Sequence, residues 1–318
     1  MRTLLTALVL CFAGLPSWAD PLPSWADTDT KAAILDFVGR VTDPASPDYV
    51  TPADRIATFD NDGNLWAEQP VYFQLIYALD RLKEKAAADP AVLTSDTLKA
   101  AAEGDMEAVA EAGVEGLLEI LAVSHSGMSV EDFQADVSAW LESARHPTTG
   151  MAYDDMVYQP MLELLSYLRD KGFQTWIVSG GGVHFVRAFA EQAYNIPPEQ
   201  VVGSTTPTEY VDGKVMKLPG IEFVDDKAGK PVGIDSRIGK RPIFSSGNSD
   251  GDFAMLEYVT GGDGPSFGML LHHTDADREF AYDRDGHVGV LNRGLDEGPA
   301  RGWVIVDMAK DWEQVFPE

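Results

Sequence analysis

Short apolar runs recur along the chain, and each stops at a polar, glycine-rich cluster. "RIATFD" (55–60) predicts a buried strand that ends at an acidic pair, Asp60 and Asp62. "QTWIVSGGG" (174–182), "RPIFSSGNSDGD" (241–252), "SFGMLLHH" (266–273) and "QVVGS" (200–204) predict four more strands. Helical spacing lies between most of them. "PMLELLSYLRDKG" (160–172) places Leu162, Leu165 and Leu168 one turn apart and stops at Gly172. "GVHFVRAFAEQAY" (182–194) predicts a helix directly after the glycine run. Two segments with an Asp-Gly turn, "TEYVDGKVMKL" (208–218) and "FAYDRDGHVGVL" (280–291), predict β-hairpins.

Strands that alternate with helices predict an α/β fold: a doubly wound, Rossmann-like parallel sheet with helices on both faces. Ligands in such sheets bind beyond the carboxyl ends of the strands, which is where Asp60, Ser179 and Asn248 fall. About 120 residues separate Asp60 from Ser179, far more than a crossover requires. Most of that stretch has helical patterning, so a helical cap domain is expected as an insertion. The predicted layout is a leader over 1–19, a first core part over 20–66, the cap over 67–155 and a second core part over 156–318.

The first 19 residues change the expected location. Arg2, the apolar stretch Leu4–Leu15 and the small-residue pattern "SWA" (17–19) read as a cleaved signal peptide, so the protein is expected to be periplasmic or secreted. "LPSWAD" occurs twice, at 15–20 and 22–27, and release after Ala19 is preferred over Ala26. Cys11, the only cysteine, lies inside the leader, which leaves neither disulfides nor thiol chemistry to the rest. No later segment is apolar for long enough to span a membrane. The net charge of −27 repels phosphate backbones and argues against nucleic acid as a partner. Oligomeric state leaves no mark on the sequence.

"FDNDGNLW" (59–66) admits several chemistries on its own. A calcium loop needs glycine at its sixth and glutamate at its twelfth position, where Leu65 and Val71 stand; counting from Asn248 gives Phe253 and Val259. A plain turn remains open for Asp, Asn and Gly. Read together, the rim clusters supply the parts of covalent phosphoryl chemistry. Asp60 can attack as a nucleophile, and Asp62 can serve as acid and then base. Ser179 and the amides after it can hold phosphoryl oxygens, while Asn248, Asp250 and Asp252 offer hard oxygens to a cation such as Mg2+.

This pattern resembles the haloacid dehalogenase superfamily of aspartate-nucleophile hydrolases, in its phosphoserine phosphatase-like branch. "TFDNDGNL", "TWIVSGG", a lysine at a helix start and "FSSGNSDGD" follow the family's four motifs in order, and the resemblance spans roughly the whole chain after the leader. It implies Asp60 as nucleophile and metal ligand, and Asp62 as acid/base with its carbonyl on the metal. It implies Ser179 as a phosphate donor and, among Lys230, Lys240 and Lys227, Lys230 as the charge-balancing lysine. Asn248 and Asp252 are implied metal ligands, with Asn248 standing where the family has Asp and Asn64 where it has Thr or Val. Gly180 and Glu68 are the implied substrate contacts. Trp66, Arg145 and His146 are further candidates on the cap side, each with a structural alternative; so are His184 and Arg187 near the rim. His272 and His273 are adjacent on a strand and therefore face opposite ways, which disfavours a shared zinc.

The activity so implied is Mg2+-dependent hydrolysis of a small-molecule phosphate ester, phosphoserine-like in size. Asp62 favours a phosphatase over a dehalogenase, because a leaving alkoxide benefits from an acid where halide does not. Phosphoryl transfer to an acceptor alcohol, or binding without catalysis on a degenerate scaffold, are the alternatives.

Overall fold

The computed structural model describes residues 20–318, so the expected leader lies outside the described residues. Leu22 and Trp25, from the second "LPSWAD" copy, are core residues. Trp25 donates its indole N–H to the Pro160 carbonyl at 2.9 Å and meets Trp312 edge-on.

The described residues form eight strands: β1 (Ile56–Phe59), β2 (Gln174–Gly182), β3 (Val201–Ser204), β4 (Thr208–Val211), β5 (Lys214–Lys217), β6 (Phe244–Gly247), β7 (Phe267–His272) and β8 (Val304–Asp307). Six form a parallel sheet in the order β3-β2-β1-β6-β7-β8, and β4 pairs with β5 as the hairpin expected over 208–218. The sheet strands alternate between two cores, as a two-residue period demands. Ile177, Val201, Met269 and Leu271 face one core, whereas Val178, Val202 and Leu270 face the other. Apolar runs without polar alternation are thus explained by helices on both faces.

The first core is covered by α1 (Asp29–Thr42) through Ile34, Phe37, Val38 and Val41. Five helices follow β1: α2 (Phe73–Ala88), α3 (Asp96–Glu103), α4 (Met106–Glu111), α5 (Gly113–His125) and α6 (Val130–Ser143). Leu79 and Leu82 of α2 meet Leu98, Val109 and Ile120 in a small separate core. Phe133, Val137 and Trp140 of α6 instead join the large core. Met161, Leu164, Leu165 and Leu168 bury the inner face of α7 (Gln159–Asp170).

Three sequence expectations change. The helix expected over 182–194 is two short pieces, α8 (Val183–Arg187) and α9 (Ala190–Tyr194). The chain breaks where Phe189 lies flat on Trp66, with ring centroids 4.4 Å apart. Segment 280–291 is not a hairpin: it contributes one isolated bridge, His273 to Tyr282, and folds over the sheet edge, with Tyr282 stacked on His273 at 4.2 Å. The edge strand β8 was not among the expected strands; it is not followed by a glycine-rich polar cluster. The remaining helices are α10 (Gly229–Arg237), α11 (Phe253–Thr260), α12 (Arg293–Glu297) and α13 (Met308–Asp311). Ile234 of α10 and Phe253, Met255 and Leu256 of α11 fill the second core. No helix among the described residues is long and apolar enough to cross a membrane.

Candidate active site

At the end of β1 the chain leaves the sheet through a tight turn. The Asp60 N–H still donates to the Ser246 carbonyl at 2.9 Å, which holds this residue beside β6. The Asn61 carbonyl accepts from the N–H groups of Asn64, Leu65 and Trp66. Gly63 makes the turn possible: its φ is +70°, and a Cβ there would fall 2.0 Å from Asn248 Nδ2. Asn64 donates to the Asp60 carbonyl at 3.0 Å and accepts from the Ser246 hydroxyl at 2.6 Å. It thereby stitches the acidic loop to β6.

Lys230, near the start of α10, is 1% exposed. An ammonium has three N–H donors, and all three have acceptors here. They reach Asp60 Oδ1 at 2.8 Å, Asp252 Oδ1 at 2.6 Å and the Val178 carbonyl at 2.9 Å. Burial opposes the charge on Lys230, but Asp252 and Asp60 outweigh it and hold the amine protonated, above its ordinary range. Burial and the nearby charge of Asp252 push the Asp60 carboxyl up, against the pull of Lys230. The competing lysines lie elsewhere. Lys240 pairs with Asp54 at 2.7 Å, ahead of β1 and therefore at the opposite edge of the sheet, and the Lys227 side chain is exposed.

Asp62 keeps a solvent-facing edge, yet the protein enclosing it raises its carboxyl above the usual range. Its Oδ1 accepts from the Trp66 indole N–H at 2.8 Å, so Trp66 is both core and the group that orients this acid. Ser179 is fully buried, and its Oγ accepts from the Gly181 N–H at 3.0 Å. A Cβ on Gly181 would meet Ser179 Oγ at 3.2 Å, Gln74 Oε1 at 3.3 Å and Asp62 Oδ2 at 3.7 Å. This small polar cradle is walled by β2, the acidic loop and α2. Gln74 of α2, absent from the sequence expectations, accepts from the Gly182 N–H at 2.8 Å. Gly180 is exposed at the rim.

The third cluster is arranged differently from expectation. Asp252, expected as a metal ligand, has both carboxylate oxygens engaged. Oδ1 takes Lys230, and Oδ2 takes the N–H groups of Asn248 and Ser249 at 3.0 and 3.1 Å. It anchors the lysine and closes the loop rather than offering a free oxygen. Asp250 turns away and caps α12, accepting from the N–H groups of Asn292, Arg293 and Gly294. Asn248 donates from Nδ2 to Glu68 Oε1 at 2.7 Å, and its Oδ1 is buried without any partner.

Glu68, expected as a substrate contact, is 2% exposed and sits behind Asn248 instead. Its Oε1 also accepts from the Tyr282 hydroxyl at 2.8 Å. Burial pushes its carboxyl up to about 7, against the pull of His273. His273 Nε2 contacts the Gly63 carbonyl at 2.7 Å and Nδ1 contacts Glu279 at 3.2 Å, so this ring supports the acidic loop from beneath. His272 points the other way, to Asp283 at 3.3 Å. Arg145 is exposed against the carbonyls ending α6, whereas His146 is buried on the Gln69 carbonyl at 2.7 Å; neither reaches the site.

Among the described residues no three His, Cys, Asp or Glu side chains converge as a ready-made metal cluster. The residues present nevertheless fit Mg2+. Asp60 and Asp252 share the Lys230 ammonium with Asp62 close by, and the orphaned Asn248 Oδ1 is a buried oxygen that lacks a donor or cation.

Residues 57–257 match the family model described as haloacid dehalogenase-like hydrolase. No curated protein matches the chain. Among solved structures, a conserved protein of unknown function from Anaerococcus prevotii aligns at a TM-score of 0.54 and 16% identity, over 78% of this chain and 87% of its own. A protein of unknown function from Bordetella pertussis aligns at 0.50 and 17%, over 80% and 98%. A phosphoserine phosphohydrolase-like protein from Francisella tularensis aligns at 0.42 and 17%, over 77% and 98%. At these identities the likeness to the first two is one of fold.

Proposed function

The chain belongs to the haloacid dehalogenase-like hydrolase family, and from that premise we propose that it hydrolyses small phosphate monoesters through Asp60 as the nucleophile. The observation that carries this reading is the pairing of a lysine-held Asp60 with a raised, indole-oriented Asp62 beside the Ser179–Gly181 cradle.

Lys230 grips Asp60 Oδ1, which leaves Oδ2 to attack phosphorus as the ester P–O bond breaks. Asp62, kept protonated more readily by its enclosure, donates its proton to the leaving alkoxide. As carboxylate it then takes a proton from water, whose oxygen attacks phosphorus and returns Asp60 with release of phosphate. The Ser179 hydroxyl, whose oxygen is held by the Gly181 N–H, supplies a donor to the phosphoryl oxygens. Asp60, the Asp62 carbonyl and Asn248 Oδ1 would hold Mg2+. When bound, the cation would offset repulsion between carboxylate and phosphate.

Two substitutions test these assignments. Asp62→Asn should cut turnover of alkyl phosphates roughly 10²–10⁴-fold. In a single turnover it should slow p-nitrophenolate release much less, because nitrophenolate leaves without a proton, while the later water attack, where Asp62 is the base, slows for both substrates. Equal losses in first-turnover alcohol release on both substrates, or turnover indifferent to Mg2+, would sink the mechanism. Glu68→Ala removes the acceptor that fixes the Asn248 amide and should weaken Mg2+ binding by about tenfold or more. Glu68→Gln keeps an oxygen acceptor and should restore most of it. Calorimetric Mg2+ titration without substrate reads both, and unchanged affinity in Glu68→Ala would refute the role of Glu68.

A further inference from the structure

A second cluster of chemistry lies apart from the carboxylates. A pocket of about 190 Å³ opens between α8, β3 and the loop leading to β4, and shares no residue with the site above. His184, Arg187, Arg237, Thr205, Thr206 and Glu222 are among its lining residues. The Arg187 guanidinium donates from Nη2 to the Val201 carbonyl at 3.1 Å, while its buried Nε has no acceptor. Lys217 Nζ stands 3.1 Å from His184 Nδ1 and 3.2 Å from the Thr206 hydroxyl. An ammonium only donates, so Nδ1 accepts and the neutral ring carries its proton on Nε2.

Arg187, Lys217 and Arg237 have no carboxylate at ion-pairing distance among the described residues. Glu222, the acid in the lining, is engaged by the Thr205 hydroxyl at 3.3 Å. The cationic groups therefore act on one another. Burial, Lys217 and Arg187 push His184 down to about 4; burial and Arg237 lower Arg187; burial brings Lys217 to about 8. In a chain of net charge −27, this pocket gathers Arg187, Arg237 and Lys217 against Glu222 in its lining and Glu199 near Arg187, a local excess of positive charge.

We propose that this pocket is a second anion site, taking a tetrahedral oxyanion such as free phosphate on Arg187, Arg237 and the Nε2–H of His184. A guanidinium fork matches oxyanion geometry, and a buried N–H without an acceptor is the donor such a ligand satisfies after a small side-chain shift. Two further threonines in the lining, Thr206 and Thr208, add hydroxyl donors that a four-oxygen anion uses more fully than a carboxylate does, whereas the Thr205 hydroxyl is spent on Glu222.

The test uses the full chain labelled with 15N-histidine, without Mg2+, titrated with sodium sulfate at constant ionic strength against chloride. His184 ring signals should move saturably with sulfate and not with chloride, and inorganic phosphate should compete at the same signals. Arg187→Gln should weaken binding roughly tenfold, as expected for one lost charge-assisted contact. Arg237→Gln should weaken it as well; Arg237 is exposed, so this variant keeps the test intact if Arg187→Gln disturbs the fold. A response no different from chloride, or full sulfate affinity in Arg237→Gln, would overturn the proposal.

Discussion

Asp60→Asn is expected to reduce turnover of every phosphate ester by roughly 10⁴-fold or more while leaving the protein folded. The amide keeps the shape and still offers Oδ1 to Lys230, so the turn built on Asn61, Gly63 and Asn64 has no reason to move. What is lost is the carboxylate that attacks. The change also removes one of two carboxylates that face a single ammonium at 2.8 and 2.6 Å. Because burial works against the ionised Asp60, thermal stability without Mg2+ should be equal to wild type or higher. Single-turnover release of phosphate, with circular dichroism as the fold control, decides the matter. Near-normal rates in the variant would remove Asp60 from the mechanism.

Lys230→Met is expected to cost about 3–5 kcal/mol of stability, the scale for removing one partner of a buried ion pair. The methionine fills similar volume, so the loss reports charge more than cavity. Asp60 and Asp252 would face each other uncompensated, and the Val178 carbonyl would lose its donor. Activity should fall with stability, since Lys230 holds the nucleophile. Adding Asp252→Asn should recover part of the stability, and urea denaturation of the four proteins in the cycle measures that coupling. Additive effects of the two substitutions would mean that the ion triad is not a unit.

The parts legible in the sequence share a physical origin. A buried parallel strand must be apolar on both faces, and a rim cluster must be polar, so strand-then-cluster patterns at 56–60, 174–182 and 244–252 mark the sheet edge directly. The helical insertion was legible through its period. The hairpin expected over 280–291 failed because the Asp-Gly signal there belongs to a loop held by tertiary contacts, Tyr282 on His273 and on Glu68. Asp250 and Asp252 could not be told apart, since the direction of a loop side chain depends on which backbone N–H groups lie near it. One caps α12 and the other closes on Asn248 and Lys230.

By itself the sequence determined the doubly wound sheet, the order of its clusters and a shortlist of chemical groups, because periodicity and chain order are local properties. Only the tertiary structure decided among equals on that shortlist. It buried Lys230 rather than Lys240 or Lys227 and turned Glu68 inward to the Asn248 amide. It gave Trp66 the task of orienting Asp62. Such choices rest on burial and on partners up to about two hundred residues away in the chain, and no local pattern records the desolvation that sets them.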